Sequence, residues 1–459
     1  MNKKNLVSLS VFLLLSLCVF IVLFVYAFRW QEEKDLRNAG DSISSGDNDA
    51  SEDGTDSEDN TGSDDTVGKD DGSPGDDTGQ YDDMGQGDTD ESEDGTGTGD
   101  GPENGSGDIS DDLNTEKAVI SDPVGTLIPP PDLIVSNISE DTPILLGFAG
   151  DVNLNESSYP AAKYDAEDKD ITRCLSEDLL SEMDAVDIMM LNNEFAYSTR
   201  GTKEEDKSYT FRAHPKRVEI LQKMSVDIVS LANNHALDYG PDALLDTFDT
   251  LDSAGIEYVG AGDNFNRAKA PIYYRVGNKT ISYVAASHVI FAMDWYATED
   301  RPGMIGTYDP TILLESIEVA KSNSDYVAVF VHWGVERNSM PESYQKNLAK
   351  KYIDAGADIV IGCHPHVMQG IELYKGKPIA YSLGNYWFNK STNRSGMLKV
   401  YLNPDGTLKA QLLPVMNKDT FTYLLTGEAE KKAYYDYMQD ISFGVSFDEN
   451  GFITGEAME

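Results

Sequence analysis

From residue 143 onward the chain predicts a layered α/β domain. Three observations carry that expectation. Short apolar runs of strand character alternate with amphipathic runs of helical period. Five of the strand-like runs end directly in a polar cluster, as happens where strands deliver side chains to one edge of an α/β sheet. Ahead of residue 143 lie an uncharged apolar run, Leu6 to Phe28, and a stretch from Ala39 to about Asp112 too acidic to build a core.

The first 30 residues read as a transmembrane signal anchor. Two lysines, Lys3 and Lys4, precede 23 residues without a charge, Leu6 to Phe28, long enough to span a bilayer with some tilt. A cleaved signal peptide would have a shorter apolar core and a small-residue cleavage site. Leu15-Ser16-Leu17-Cys18 superficially resembles a lipoprotein site, but Leu17 is bulky and the apolar run continues past it. Lys3 and Lys4 are nearly balanced by Arg29, Lys34 and Arg37, so orientation rests on the short N-terminus and the lack of a later span. The expectation is a single-pass protein of the cell membrane with its C-terminal domain extracytoplasmic.

Residues 31–135 form an acidic low-complexity linker. Between Ala39 and Asp132 there are 29 Asp or Glu against two lysines, most of the excess behind the chain's net charge of −44. From Ala39 to about Asp112 there are almost no aliphatic residues, and this part is expected to stay disordered as a self-repelling tether. Its Asp-x-Asp fragments lack the closing Glu of a calcium loop. A chain this acidic repels nucleic acid, which excludes a general nucleic-acid binder. Cys18, Cys174 and Cys363 are the only cysteines and suggest no disulfide framework.

Strands are predicted at 144–149, 188–191, 227–231, 256–259, 326–331 and 359–362, and helices at 216–224, 242–254 and 344–355. Gly277-Asn278, Tyr374-Lys375-Gly376-Lys377 and Pro404-Asp405-Gly406 mark hairpins. The domain is taken as 136–415, followed by a C-terminal extension, 416–459, with a helix at 428–441.

All six histidines lie between residues 214 and 366, and most follow a predicted strand. The strand ends read Gly150-Asp151-Val152-Asn153, Asn192-Asn193-Glu194, Asn233-Asn234-His235, His332-Trp333-Gly334-Val335-Glu336 and His364-Pro365-His366. Singly each has an ordinary explanation: a turn, a helix cap, a core histidine. Together they should converge on one site. His-Pro-His is the most pointed, since alternate residues of an extended segment can offer two imidazoles to neighbouring metals. Asp, Glu, Asn and His without clustered thiolates suit divalent Mn, Zn or Fe. A shared carboxylate would make the site binuclear and fit it for in-line displacement at phosphorus.

Ser230-Leu-Ala-Asn-Asn-His-Ala-Leu-Asp-Tyr-Gly240, His332-Trp-Gly-Val-Glu336, Ala355-Gly-Ala-Asp-Ile-Val-Ile-Gly-Cys-His-Pro-His366 and Tyr381-Ser-Leu-Gly-Asn385 resemble the signature segments of CapA-type poly-γ-glutamate capsule-synthesis proteins. These are related to calcineurin-like metallophosphoesterases. The resemblance covers about 143–415 and implies a four-layer α/β/β/α sandwich. It implies one metal held by Asp151, Glu194 and His366, with Asn153 a weak fourth ligand. A second metal would share Glu194 and add Asn234, His332 and His364. His235 matches the general acid for the leaving group, and Asp238 either orients it or serves a turn. Asp151-Val152-Asn153 stands where many of these enzymes have Asp-x-His, and Glu194 where Asp is usual. Arg212 and His214 are candidates for binding an anionic substrate, with a structural salt bridge the alternative for Arg212. Glu336 either reaches the site or caps a loop.

Two functions follow. One is a metal-dependent hydrolase or transferase acting on an exported anionic polymer or its membrane-linked carrier. The other is a non-catalytic, metal-stabilised subunit that works with capsule synthase subunits. An extracellular nucleotidase would need an aromatic base-stacking module, and Tyr434-Tyr435-Asp436-Tyr437 is too short to be one.

Overall fold

The computed structural model describes residues 134–136, 138–139 and 141–455. The expected anchor and nearly all of the acidic linker lie outside the described residues. The linker's last two residues belong instead to a strand, Ile134–Ser136, which pairs in parallel with Ile272–Val276. Among the described residues no helix is long and apolar enough to cross a membrane.

The α/β expectation holds as a mixed fold built on two large sheets. The first runs, in spatial order, Phe421–Leu424, Leu408–Lys418, Asn393–Leu402, Ile144–Val152, Ile188–Asn193, Ile228–Ser230 and Glu257–Val259, with Asn385–Trp387 also pairing to Ile144–Val152. The second runs Ile134–Ser136, Ile272–Val276, Lys279–Ser287, Tyr326–His332, Ile359–Cys363, Lys377–Ala380 and Ile371–Tyr374. All three expected hairpins form, pairing Val276 with Lys279, Tyr374 with Lys377 and Leu402 with Leu408.

Strand alternation sorts side chains between faces. In Tyr326–His332, Ala328 and Phe330 join a core shared with Leu146, Phe148 and Met190 of the other sheet. Val327, Val329 and Val331 point the other way, into a cluster with helices Thr311–Asn323 and Ser343–Ala355. The outer face of the first sheet is covered likewise by Tyr159–Ala166, Glu177–Asp184, Val218–Lys223 and Gly240–Ala254. Because both faces of these strands are buried, they read as continuous apolar runs. Beyond residue 415, helix Glu428–Ile441 sends Tyr434, Tyr435, Met438 and Ile441 into the core between the sheets.

Four parallel strands are each preceded by an aspartate with one repeated task. Asp187, Asp227, Asp325 and Asp358 accept hydrogen bonds from Leu145 N (2.9 Å), Met189 N (2.7 Å), Thr280 N (2.8 Å) and Val327 N (3.0 Å). Each amide is the second of the neighbouring strand, so the carboxylates satisfy donors where these strands begin, in both sheets. The arrangement has a cost at Asp227, where burial and the charge of Asp187 push the carboxyl up to about 6. A carboxyl raised above its unfolded value contributes stability that is present below about pH 4 and lost as pH rises through about 6. Asp227→Asn keeps an acceptor for Met189 N and removes that loss. It is expected to gain on the order of 1 kcal/mol at pH 7.5, discounted for partial exposure, with a smaller gain or none at pH 4.5. Urea midpoints at the two pH values check this, and an equal shift at both would refute it.

Candidate metal centre

The strand Ile144–Val152 runs three residues beyond its expected end and so carries Asp151 within the sheet. Gly150 permits this, since a Cβ there would lie 1.9 Å from Gly384 O. Asp151 N donates to that same oxygen at 3.0 Å. The turn Ser382-Leu383-Gly384 thus packs on Gly150 and sets Asn385 beside Asp151, its partner in register.

Around this point the structure gathers Asp151, Glu194, Asn234, His332, His364 and His366. Ligand atoms of Asp151, His332 and Cys363 lie within 4.8 Å of one another, as do those of Glu194, His364 and His366. Glu194 Oε1 is buried without a hydrogen-bond partner, 3.7 Å from His332 Nε2 and 3.8 Å from His366 Nε2. His364 Nδ1 is likewise buried and unpartnered. His332 Nε2 lies 2.7 Å from Asn234 Oδ1. Two ligands at about 2.1 Å from one divalent ion stand roughly 3.0–3.7 Å apart for angles between right and trigonal. The unsatisfied atoms therefore fit metal ions, while the 3.7–3.8 Å separations are too long for hydrogen bonds.

The electrostatics agree with the donor set. Burial pushes His332 well below its ordinary range and His364 down to about 3, helped by the charge of His366, so both remain the neutral imidazoles that ligate. Burial also acts on Asp151, yet hydrogen bonds from His366, Asn192 and His364 N hold its carboxyl below the usual value. Glu194 goes the other way, pushed well up by burial and then by Asp151. A buried acid with that much opposition to its charge is a place for a cation.

His-Pro-His differs from the extended segment expected. His364 and His366 both have positive φ, 95° and 59°, on either side of a proline that fixes its own φ. The twist lets His364 N reach Asp151 Oδ2 at 3.2 Å while Pro365 O accepts from Arg337 N at 2.8 Å. Two non-glycine residues in this region store backbone strain, as active sites often do.

His235 forms the other part of the site. Its Nδ1 lies 2.6 Å from Asp238 Oδ2, and Phe211 stacks on its ring at 4.0 Å. Asp238 also accepts from Phe211 N at 2.6 Å and from Lys207 Nζ, which further donates to Asn234 O. Both parts open to Asp238 are present in its contacts, the carboxylate on His235 Nδ1 and a turn in which Asp238 N donates to His235 O at 3.4 Å. Burial, only partly offset by Asp238, takes His235 down to about 4.

The remaining candidates stand apart. Asn153 Oδ1 is taken by Asn155 N and Nδ2, at 3.0 and 2.9 Å. The Arg212 guanidinium donates to Arg200 O at 2.7 Å and lies over the Tyr239 ring. With His214 it borders an open cavity of about 750 Å³, where His214 Nδ1 accepts from Lys216 N at a helix start. Glu336 is exposed, and its charge helps raise both Glu194 and His366. Sequence reasoning missed Lys207, partly buried against Trp295 and Phe291. In Lys203-Glu-Glu-Asp-Lys207 nothing distinguishes it from a solvated charge. Asn192, Asn233 and Asn385 were visible in the motifs but without a role.

The segment that holds every one of these residues, 145–390, matches the family described as "Bacterial capsule synthesis protein PGA_cap". The chain belongs to that family. Among relatives, the Capsule biosynthesis protein CapA of Bacillus anthracis is 33% identical over 250 residues, 53% of this chain and 60% of that one. The PGA biosynthesis protein CapA of Bacillus subtilis (strain 168) is 35% identical over 217 residues, 46% of this chain and 57% of the relative. The chain thus spans about 60% or less of the length of these two relatives.

Proposed function

We propose that this protein is a membrane-anchored, extracytoplasmic phosphoesterase-like hydrolase with two divalent metals, Mn, Zn or Fe, acting in capsule poly-γ-glutamate synthesis or export. Its substrate would be an anionic polymer or a membrane-linked carrier. The reading is supported most by Glu194 Oε1, unsatisfied between the Nε2 atoms of His332 and His366, where a carboxylate shared by two ions belongs. The helix-covered pair of sheets fits the four-layer metallophosphoesterase sandwich, and the capsule role rests on the family. Asp151, Glu194 and His366 would hold one ion, and Glu194, Asn234, His332 and His364 the other. Bound there, the metals would supply Lewis acidity and an activated water.

The protein's own groups do the rest. Asp238 fixes Nδ1 of His235, leaving Nε2 to handle the proton of the leaving group. In the free site His235 is neutral. A phosphoester's negative charge beside it favours the imidazolium. Phe211 covers the ring and excludes water from one face.

Elemental analysis of the purified full chain, paired with hydrolysis of an aryl phosphodiester in added manganese, tests this. Two metal equivalents with turnover are expected. Two metals without turnover would move the chemistry to a γ-amide bond. Less than one metal per chain in excess manganese would leave the scaffold subunit as the better reading.

A further inference from the structure

We infer that Cys363 is a positioning residue whose sulfur accepts the Nδ1 proton of His332 and so frees Nε2 for metal. The inference rests on the metal-centre reading above. It follows from assigning the buried amides around the site one proton at a time.

The assignment starts from a donor that cannot be turned around. His235 N–H donates to the Asn233 side chain at 3.0 Å, so the receiving atom is Oδ1. The other end of that amide is then Nδ2, which donates to Asn193 O at 2.9 Å and to Asn192 Oδ1 at 3.1 Å. Asn192 is thereby oriented as well. Its Nδ2 carries two hydrogens, and they go to Asp151 Oδ1 at 2.7 Å and Glu194 Oε2 at 3.2 Å.

His332 Nδ1 lies 3.4 Å from Asn192 Nδ2 and 3.2 Å from Cys363 Sγ. Asn192 Nδ2 has no hydrogen left to give and, as an amide nitrogen, no lone pair to receive one. When Nε2 ligates a metal, the ring's single proton sits on Nδ1, and Cys363 Sγ is the acceptor within reach. The thiol hydrogen then turns to Val331 O, 3.8 Å away. In the metal-free protein the same thiol can donate to Nδ1 while Nε2–H bonds to Asn234 Oδ1 at 2.7 Å. A thiol serves both tautomers because it is donor and acceptor at once. Its burial with His332 leaves no water to substitute. His366 is held by an equivalent contact, Nδ1 lying 2.8 Å from Asn385 Oδ1.

Outer partners of this kind tune metal affinity by about 10–100-fold. The test compares the full chain as wild type, Cys363→Ser and Cys363→Val, with zinc affinity measured by chelator competition. Serine, which also accepts and donates, is expected to bind both metals nearly as the wild type does. Valine is expected to weaken one of the two sites by about 10–100-fold and leave the other unchanged. Long-range proton–nitrogen correlation spectra of the zinc-loaded wild type should show His332 protonated at Nδ1. That measurement needs no variant, so misfolding of Cys363→Val would not shield the inference. An unprotonated Nδ1 overturns the inference together with His332 Nε2 as a ligand, whereas a valine variant that binds both metals as tightly as wild type overturns the role of Cys363 alone and leaves the metal centre standing. A serine variant as weak as valine also overturns it. A wild type that binds no metal removes the metal-centre reading and this inference together.

Discussion

Glu194→Gln is expected to abolish the paired metal site and, in the absence of metal, to leave the protein as stable as wild type or more so. The two effects have opposite signs because one carboxylate is responsible for both. Burial and the neighbouring Asp151 push Glu194 well up, so at neutral pH its charge is opposed in the metal-free fold. Glutamine keeps the volume and an acceptor for Asn192 Nδ2, which bonds Glu194 Oε2 at 3.2 Å, while removing that opposed charge. In the proposed binuclear centre, bound metals would offset the charge. Without the carboxylate, each loses a ligand, and the loss in affinity should exceed the ~100-fold upper end seen for outer-sphere substitutions. Melting curves in chelator and in manganese separate the terms. Wild type should gain stability with added metal, since a ligand bound only to the folded state stabilises it. The variant should gain little. A variant that holds two equivalents with wild-type affinity would remove Glu194 from the bridging position and the argument for a binuclear centre with it.

The convergence of the candidate ligands was legible in the sequence because each follows a strand whose apolar run is itself easy to read. Asp151, Glu194, His332 and His364 all come from the end of such a run, and the parallel sheet order brings those ends together. Helix Glu428–Ile441 was legible to the residue, having no Gly or Pro within and a glycine just before it. Tyr159–Ala166 and Glu177–Asp184 were not, being eight residues each and offering only two turns of pattern. Asn153 illustrates the limit at the site. It has a ligand's residue type and position, but Asn155, two residues on, takes its oxygen. The orienting groups were hidden for a different reason. Asp151 meets His364 across 213 residues of sequence and Asn192 meets Asn233 across 41. Spacing along the chain carries no trace of such contacts.

His235→Ala is expected to lower turnover on an aryl phosphodiester by about 10²–10⁴-fold, the range for a lost proton-transfer group, while both metals stay bound. The division of labour follows from the contacts. His235 Nδ1 is committed to Asp238, and neither candidate ligand cluster includes His235. Its neighbour Asn234 is held separately, through its carbonyl by Lys207 and through its side chain to His332. Removing the imidazole should therefore leave the Asn234 oxygen where it is. It also uncovers Phe211, whose ring stacks on His235, so a small loss of stability is expected alongside the large loss of rate. The leaving group supplies a second readout. An aryl leaving group of low pKa needs little protonation, so the defect should shrink with such substrates and grow with alkyl ones. A uniform loss across leaving groups, or loss of metal together with rate, would mean that His235 maintains the site instead of moving a proton within it.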